Sequence, residues 1–260
     1  MSNSINTLFI VEGNKAEYNL CQSIAVAYGI NLSIYCLGTN IYSLYKRMKE
    51  YDFNADVKKV LLEIHPEYSE LLSRKYAFTY LIFDLDPHHP KKEDDRNLRE
   101  IVCDNLAKAK EMVSYFTDET DPTIGKLYIN YPMIESFRDC DFPFDPSYEK
   151  RYIKIDEIIK YKQLVSSRKM AGKHLDSYSK NDFNLLTKMN IYKLSSFWKK
   201  GWNGVTYKEY ELLSKSIGIL EAQKNMIDDN NELAILNTSL FFSIDYFGNK
   251  QGFYDSIVNG

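Results

Sequence analysis

The run AFTYLIFDLD at residues 77–86 is apolar on both of its alternating faces, so a strand built from it must be covered on both sides. Residues 6–11 pose the same demand, because Leu8, Phe9, Ile10 and Val11 follow one another without a polar break. Each run is followed by helical patterning: residues 14–28 with Leu20, Ile24 and Ala27 at three- and four-residue spacing, and the long polar-faced segment 92–116. NLSIYCLG at 31–38 reads as a further strand, 41–50 and 55–74 as helical, and KLYINYP at 126–132 as a strand ended by Pro132. Strands alternating with helices of this length need crossover connections, which gives a mainly parallel open sheet flanked by helices. The expectation is an α/β domain over 1–145. From 146 to 260 the patterning turns helical, with turn signals at Gly172, Gly201, Gly204 and 228–231, and a helical domain is expected there.

The 260 residues carry a net charge of −3, which argues against a generic basic coat for nucleic acid. The sum hides an asymmetry. Between Ser147 and Lys215 there are 15 Lys and Arg against 7 Asp and Glu, and the compensating acid lies elsewhere. Cys21, Cys36, Cys103 and Cys140 show no C-x-x-C spacing, so free thiols are expected rather than a zinc ribbon or redox pair. The chain shows neither a signal-peptide pattern nor an apolar run of about 18 residues, and the expectation is a cytoplasmic protein without a membrane anchor.

The chemistry is concentrated where strands end. In an open α/β sheet, ligands bind beyond the carboxyl ends of the strands, and three such ends carry acid. Glu12 closes the first strand, Asp84 and Asp86 close the second apolar run, and Glu135 follows LYINYPMI. Alternation would put Asp84 and Asp86 on one face about 6.5–7 Å apart, with a carboxylate on an adjacent strand about 4.8 Å away. Crowded carboxylates repel unless a hard cation with oxygen ligands joins them. Mg2+ suits this set, with Mn2+ as its substitute; Glu17 or Glu135 would serve a second ion. Taken singly, each acid also has an ordinary reading: a turn acid for Glu12, a helix-start carboxylate for Glu135, and a solvated helix face, the favoured reading, for Glu17.

LFIVEG with Glu12-Gly13 at a strand end, followed by LIFDLD with the Asp84-x-Asp86 pair, resembles the Toprim domain of topoisomerases, primases, small ribonucleases and OLD-type nucleases. NYPMIESF is similar to a segment of standalone, RloB-like Toprim proteins of phage defence. The resemblance spans roughly residues 5–140. It implies a general acid/base and metal contact at Glu12, metal-binding aspartates at Asp84 and Asp86, and a close turn at Gly13. One departure is that OLD-type members often carry a second acid four residues after the glutamate; here Ala16 stands there and Glu17 follows one position later. Accessory domains of a topoisomerase or primase are not recognisable, so the resemblance implies a Mg2+-dependent nuclease acting on RNA, such as tRNA, or DNA in antiphage defence.

Candidate nucleic-acid contacts are His88 and Lys91 after the acidic strand, Arg168 and Lys169, and Lys199 and Lys200 within SFWKKGWNGVTYKEY, where aromatic and basic residues interleave. Surface loops and core tryptophans account for the same residues in a bland reading. Two rivals remain open. One is a non-catalytic Toprim-fold subunit of a larger defence complex; the chain has no Walker motif, so an ATPase or sensor partner would supply any ATP-driven step. The other is an enzyme acting on small phosphorylated molecules. Homo-oligomerisation is left open.

Overall fold

The computed structural model describes residues 6–86, 96–141, 143, 145–168, 172–197, 205–214 and 218–260. Five strands form the main sheet: β1 (Asn6–Val11), β2 (Asn31–Cys36), β3 (Phe78–Asp84), β4 (Thr117–Asp118) and β5 (Gly125–Asn130). Their order is β2-β1-β3-β5-β4, with β4 antiparallel at the edge and the other four parallel. Leu8 to Val11 and Tyr80 to Phe83 are almost completely buried, as runs apolar on both faces require. The sheet is thus mixed and mainly parallel, flanked by helices.

The crossovers are α1 (Ala16–Tyr28), then α2 (Ile41–Glu50), α3 (Val57–Ile64) and the short α4 (Ser69–Leu72) between β2 and β3, and α5 (Leu98–Tyr115) before β4. Local chemistry sets their ends. Gly29, with φ 68°, takes the left-handed conformation that stops α1. Asn97 and Glu100 close a reciprocal capping box at the start of α5. That helix therefore begins at Leu98, within the expected 92–116.

Residues 146–260 hold α6 (Tyr161–Ser166), α7 (Lys180–Phe197), α8 (Tyr207–Ser214), α9 (Gly218–Asn230), α10 (Phe242–Tyr246) and α11 (Lys250–Asn259). They also hold two short strands beyond the helical expectation, β6 (Tyr152–Lys154) and β7 (Glu232–Ala234), paired antiparallel. The hydrophobic core runs without a break from the sheet into this half. Phe242 meets Phe9 and Tyr80 edge-on at 5.0 and 5.7 Å, so α10 covers one sheet face. By register Phe9, Tyr80, Lys126, Asn130 and Asp84 share that face. Asp245 of α10 pairs with Lys126 and accepts the Tyr128 hydroxyl on it, and Thr238 donates to the Ile129 carbonyl at 2.7 Å. Among the described residues no helix is long and apolar enough to cross a membrane, and all four cysteines are free thiols.

Candidate acidic site at the strand ends

Glu12 leaves β1 where the β1–β2 pairing runs out, its carbonyl accepting the Gly38 amide at 2.9 Å. Gly13 is needed by its neighbour. A Cβ there would stand 2.9 Å from Glu17 Oε2, so a side chain at this turn would push the Glu17 carboxylate away. Glu17 sits in the first turn of α1, near the positive end of the helix dipole. It is buried, in contrast to the solvated helix face expected for it. A signal for this exists in the sequence: Glu17, Leu20, Cys21 and Ile24 follow helical spacing, so one face carries them all inward.

Asp84 ends β3 opposite Asn130, whose Nδ2 donates to Asp84 Oδ1 at 3.3 Å, and only 6% of Asp84 remains exposed. Asp86 departs from the strand alternation. The strand stops at Asp84, and Asp86 adopts φ 37°, in the left-handed region that aspartate tolerates better than most residues. Its amide donates to the Pro132 carbonyl at 3.3 Å, and its carbonyl accepts Asn105 Nδ2 at 3.2 Å. The strand geometry expected for the pair, two carboxylates on one face, therefore does not describe it. Glu135 lies in the helical turn Ile134–Arg138 just beyond β5 and is buried.

The fold gathers Glu12, Glu17, Asp84, Asp86 and Glu135, and the electrostatics record it. Burial first, then Asp86 and Glu17, push the Glu12 carboxyl up to about 8, against an opposing backbone hydrogen bond from Asp84. Asp84 is raised well above the usual range by burial, then by Glu12 and Glu17. Glu17 is raised by burial, with Glu135 adding to it. Among the described residues the cation facing this cluster is Lys162 of α6, whose Nζ lies 3.4 Å from Glu135 Oε1. Nothing in the sequence marks Lys162, because only folding brings the 146–260 half over this sheet end.

Hard carboxylate oxygens, crowded and short of positive charge, are the donors that a divalent cation such as Mg2+ prefers. Glu12 Oε2 and Glu135 Oε2 are buried without a hydrogen-bond partner, as atoms awaiting a cation would be. As the side chains stand, no three His, Cys, Asp or Glu groups among the described residues are placed to hold a metal ion.

Of the candidate nucleic-acid contacts, His88, Lys91, Lys169, Lys199 and Lys200 lie outside the described residues, as do His89, Lys92, Trp198 and Trp202. Arg168 donates Nε to the buried Asp139 at 3.0 Å, in a network that also holds Arg151. Lys173 pairs with Asp182, and Lys193 is fully buried with its ammonium on the Glu149 and Arg151 carbonyls. Part of the basic excess in 147–215 is therefore internal scaffolding.

No family model, no curated protein and no solved structure matches this chain.

Proposed function

We propose that this chain is a Mg2+-dependent nuclease that hydrolyses phosphodiester bonds in RNA or DNA, with the antiphage role that the Toprim resemblance implies. The observation that supports the reading is the excess of buried carboxylate over positive charge at the carboxyl ends of the parallel strands, where open α/β sheets bind ligands. Asp84, Asp86 and Glu12 would hold Mg2+ or Mn2+, with Glu135 as a further ligand and Glu17 behind them. A cation so held supplies charge neutralisation for the scissile phosphate and a water acidified for attack.

The protein's own groups do the rest. Burial and the neighbouring acids push the Glu12 carboxyl up to about 8 in the metal-free chain, so a cation held there would have to displace its proton and keep it ionised. Lys162, mostly exposed and still within reach of Glu135, is positioned to attract the phosphate's charge.

The experiment is incubation of the purified protein with total tRNA, plasmid and single-stranded DNA in Mg2+, Mn2+ or EDTA, beside Glu12→Gln and Asp84→Asn/Asp86→Asn. Metal-dependent cutting lost in both variants supports the reading and names the polymer. A folded protein that cuts nothing under any of these conditions overturns it in favour of the docking subunit.

A further inference from the structure

Two cavities open at the acidic centre, one on each side. The first, of about 770 Å3, lies between α2 and α5 and takes Asp86 into its wall. The second, of about 760 Å3, lies beyond β1 and β2 and takes Glu12 into its wall. Asn40, the residue before α2, lines both. Their chemistry differs. The first carries Lys46, Lys49, Arg96 and Lys108 against the acids Glu50 and Asp86. Among the described residues the second has no Lys or Arg in its wall; it presents the rings of Tyr18, Tyr68 and His65, with Asn14 and Thr39, and carries the acids Glu12 and Glu67, the latter paired with His65.

From this layout, and resting on the nuclease reading, we propose that one single strand of nucleic acid crosses Asn40 from cavity to cavity. Its phosphates lie on the lysines of α2 and α5, and at least one base lies against Tyr18 on the other side. Each cavity has the volume of a small-molecule pocket, the scale of one or two nucleotides and not of a double helix. Lys46 is exposed at the cavity wall. Lys49 is paired with Glu111, and Lys108 and Arg96 with Asp104; such exposed pairs contribute little and exchange readily for a phosphate acceptor. Tyr18, about one-third exposed on α1, offers a ring face for stacking. A strand entering on one side and leaving on the other passes the acids in its middle, so cleavage is internal and needs no free end.

The test measures binding apart from cleavage. In the Asp84→Asn/Asp86→Asn protein, where repulsion by the acids is relieved, labelled oligouridylate and oligothymidylate are titrated by fluorescence anisotropy, with a duplex of equal length as competitor. Lys46→Glu is expected to weaken binding about tenfold and to lower the salt slope by about 0.7 for each phosphate that the protein no longer neutralises. Tyr18→Ala is expected to weaken it about tenfold without changing that slope. Lys75→Glu, an exposed charge reversal just before β3 and so at the opposite end of that strand from Asp84, leaves binding unchanged. Thermal melts confirm that each variant is folded. The proposal is overturned if neither oligonucleotide binds, if the duplex competes equally, or if Lys75→Glu weakens binding as much as Lys46→Glu. Strand binding that depends on Lys46 and Tyr18 in a wild-type protein that never cuts would keep the path and sink the nuclease reading; cutting that ignores both residues would do the reverse.

Discussion

Lys162 Nζ stands 3.4 Å from Glu135 Oε1, carrying a positive charge from α6 to a cluster of acids set by β1, β3 and β5. It draws the Glu12 and Glu17 carboxyls down against the burial that raises them. Lys162→Met keeps the aliphatic stem and removes the charge, so Glu12 is expected to titrate above its present value of about 8. Carboxyl-detected NMR of the metal-free protein checks this, and an unmoved Glu12 would show that the pair is only a surface contact.

The pH dependence of metal-free stability should have a minimum. Folded Glu12 keeps its proton up to about 8, whereas the unfolded chain releases it near 4.5, so stability falls as pH rises through that interval. Lys193 acts in the opposite sense. Burial lowers its ammonium to about 7 from 10.5, so the unfolded state binds the extra proton above 7 and stability climbs from there toward 10.5. Thermal melts across pH in EDTA should dip between about 7 and 8, where the two trends cross. Glu12→Gln should raise the stability at about pH 8 by about 1–3 kcal/mol, and Lys193→Met should flatten the alkaline limb alone.

Divalent cation should cancel most of the acid-side loss. At a hundredfold excess of Mg2+ over its Kd the expected gain is about 2.7 kcal/mol, larger at about pH 8 than at about pH 5.5 because bound protons must leave first. Calorimetry in buffers of different ionisation enthalpy would count those protons; a proton-neutral binding event contradicts the assignment.

Asp86 holds φ 37°, where a Cβ is costly. Asp86→Gly is expected to keep or raise stability by up to about 1 kcal/mol while abolishing metal-dependent cleavage, whereas Asp86→Ala retains the strain and lowers stability by about 1 kcal/mol. Denaturant titration beside the cleavage assay separates the two effects.

The pair of Lys126 and Asp245 is buried between the sheet and α10, with Lys250 bridging Asp245 to Glu119. Asp245→Ala leaves the Lys126 charge without its partner and should cost about 3–5 kcal/mol, whereas Lys126→Met/Asp245→Leu should cost much less. Urea unfolding of both variants tests whether the 146–260 half is anchored to the sheet through charge or through the apolar contacts of Phe242.

The alternation of apolar runs with helical segments makes the parallel sheet legible in the sequence alone, because a strand buried on both faces advertises itself in every residue. The placement of Glu12 and Asp84 is legible for the same reason, since each acid ends such a run at the carboxyl end of a strand, while Glu135 lies beyond β5 in the turn Ile134–Arg138. Glu17 is legible in principle from its helical spacing with Leu20 and Ile24, yet its burial depends on Gly13 leaving room for the carboxylate. What only the tertiary structure decided is the set of partners distant in sequence. The left-handed turn at Asp86 goes with bonds to Pro132 and Asn105, the approach of Lys162 with the packing of α6, and the place of Asn40 in the walls of two cavities with how α2 sits against α5 and β2. Local sequence specifies which residues must be buried and where elements stop, whereas the placement of one buried face against another is a collective choice of the whole core.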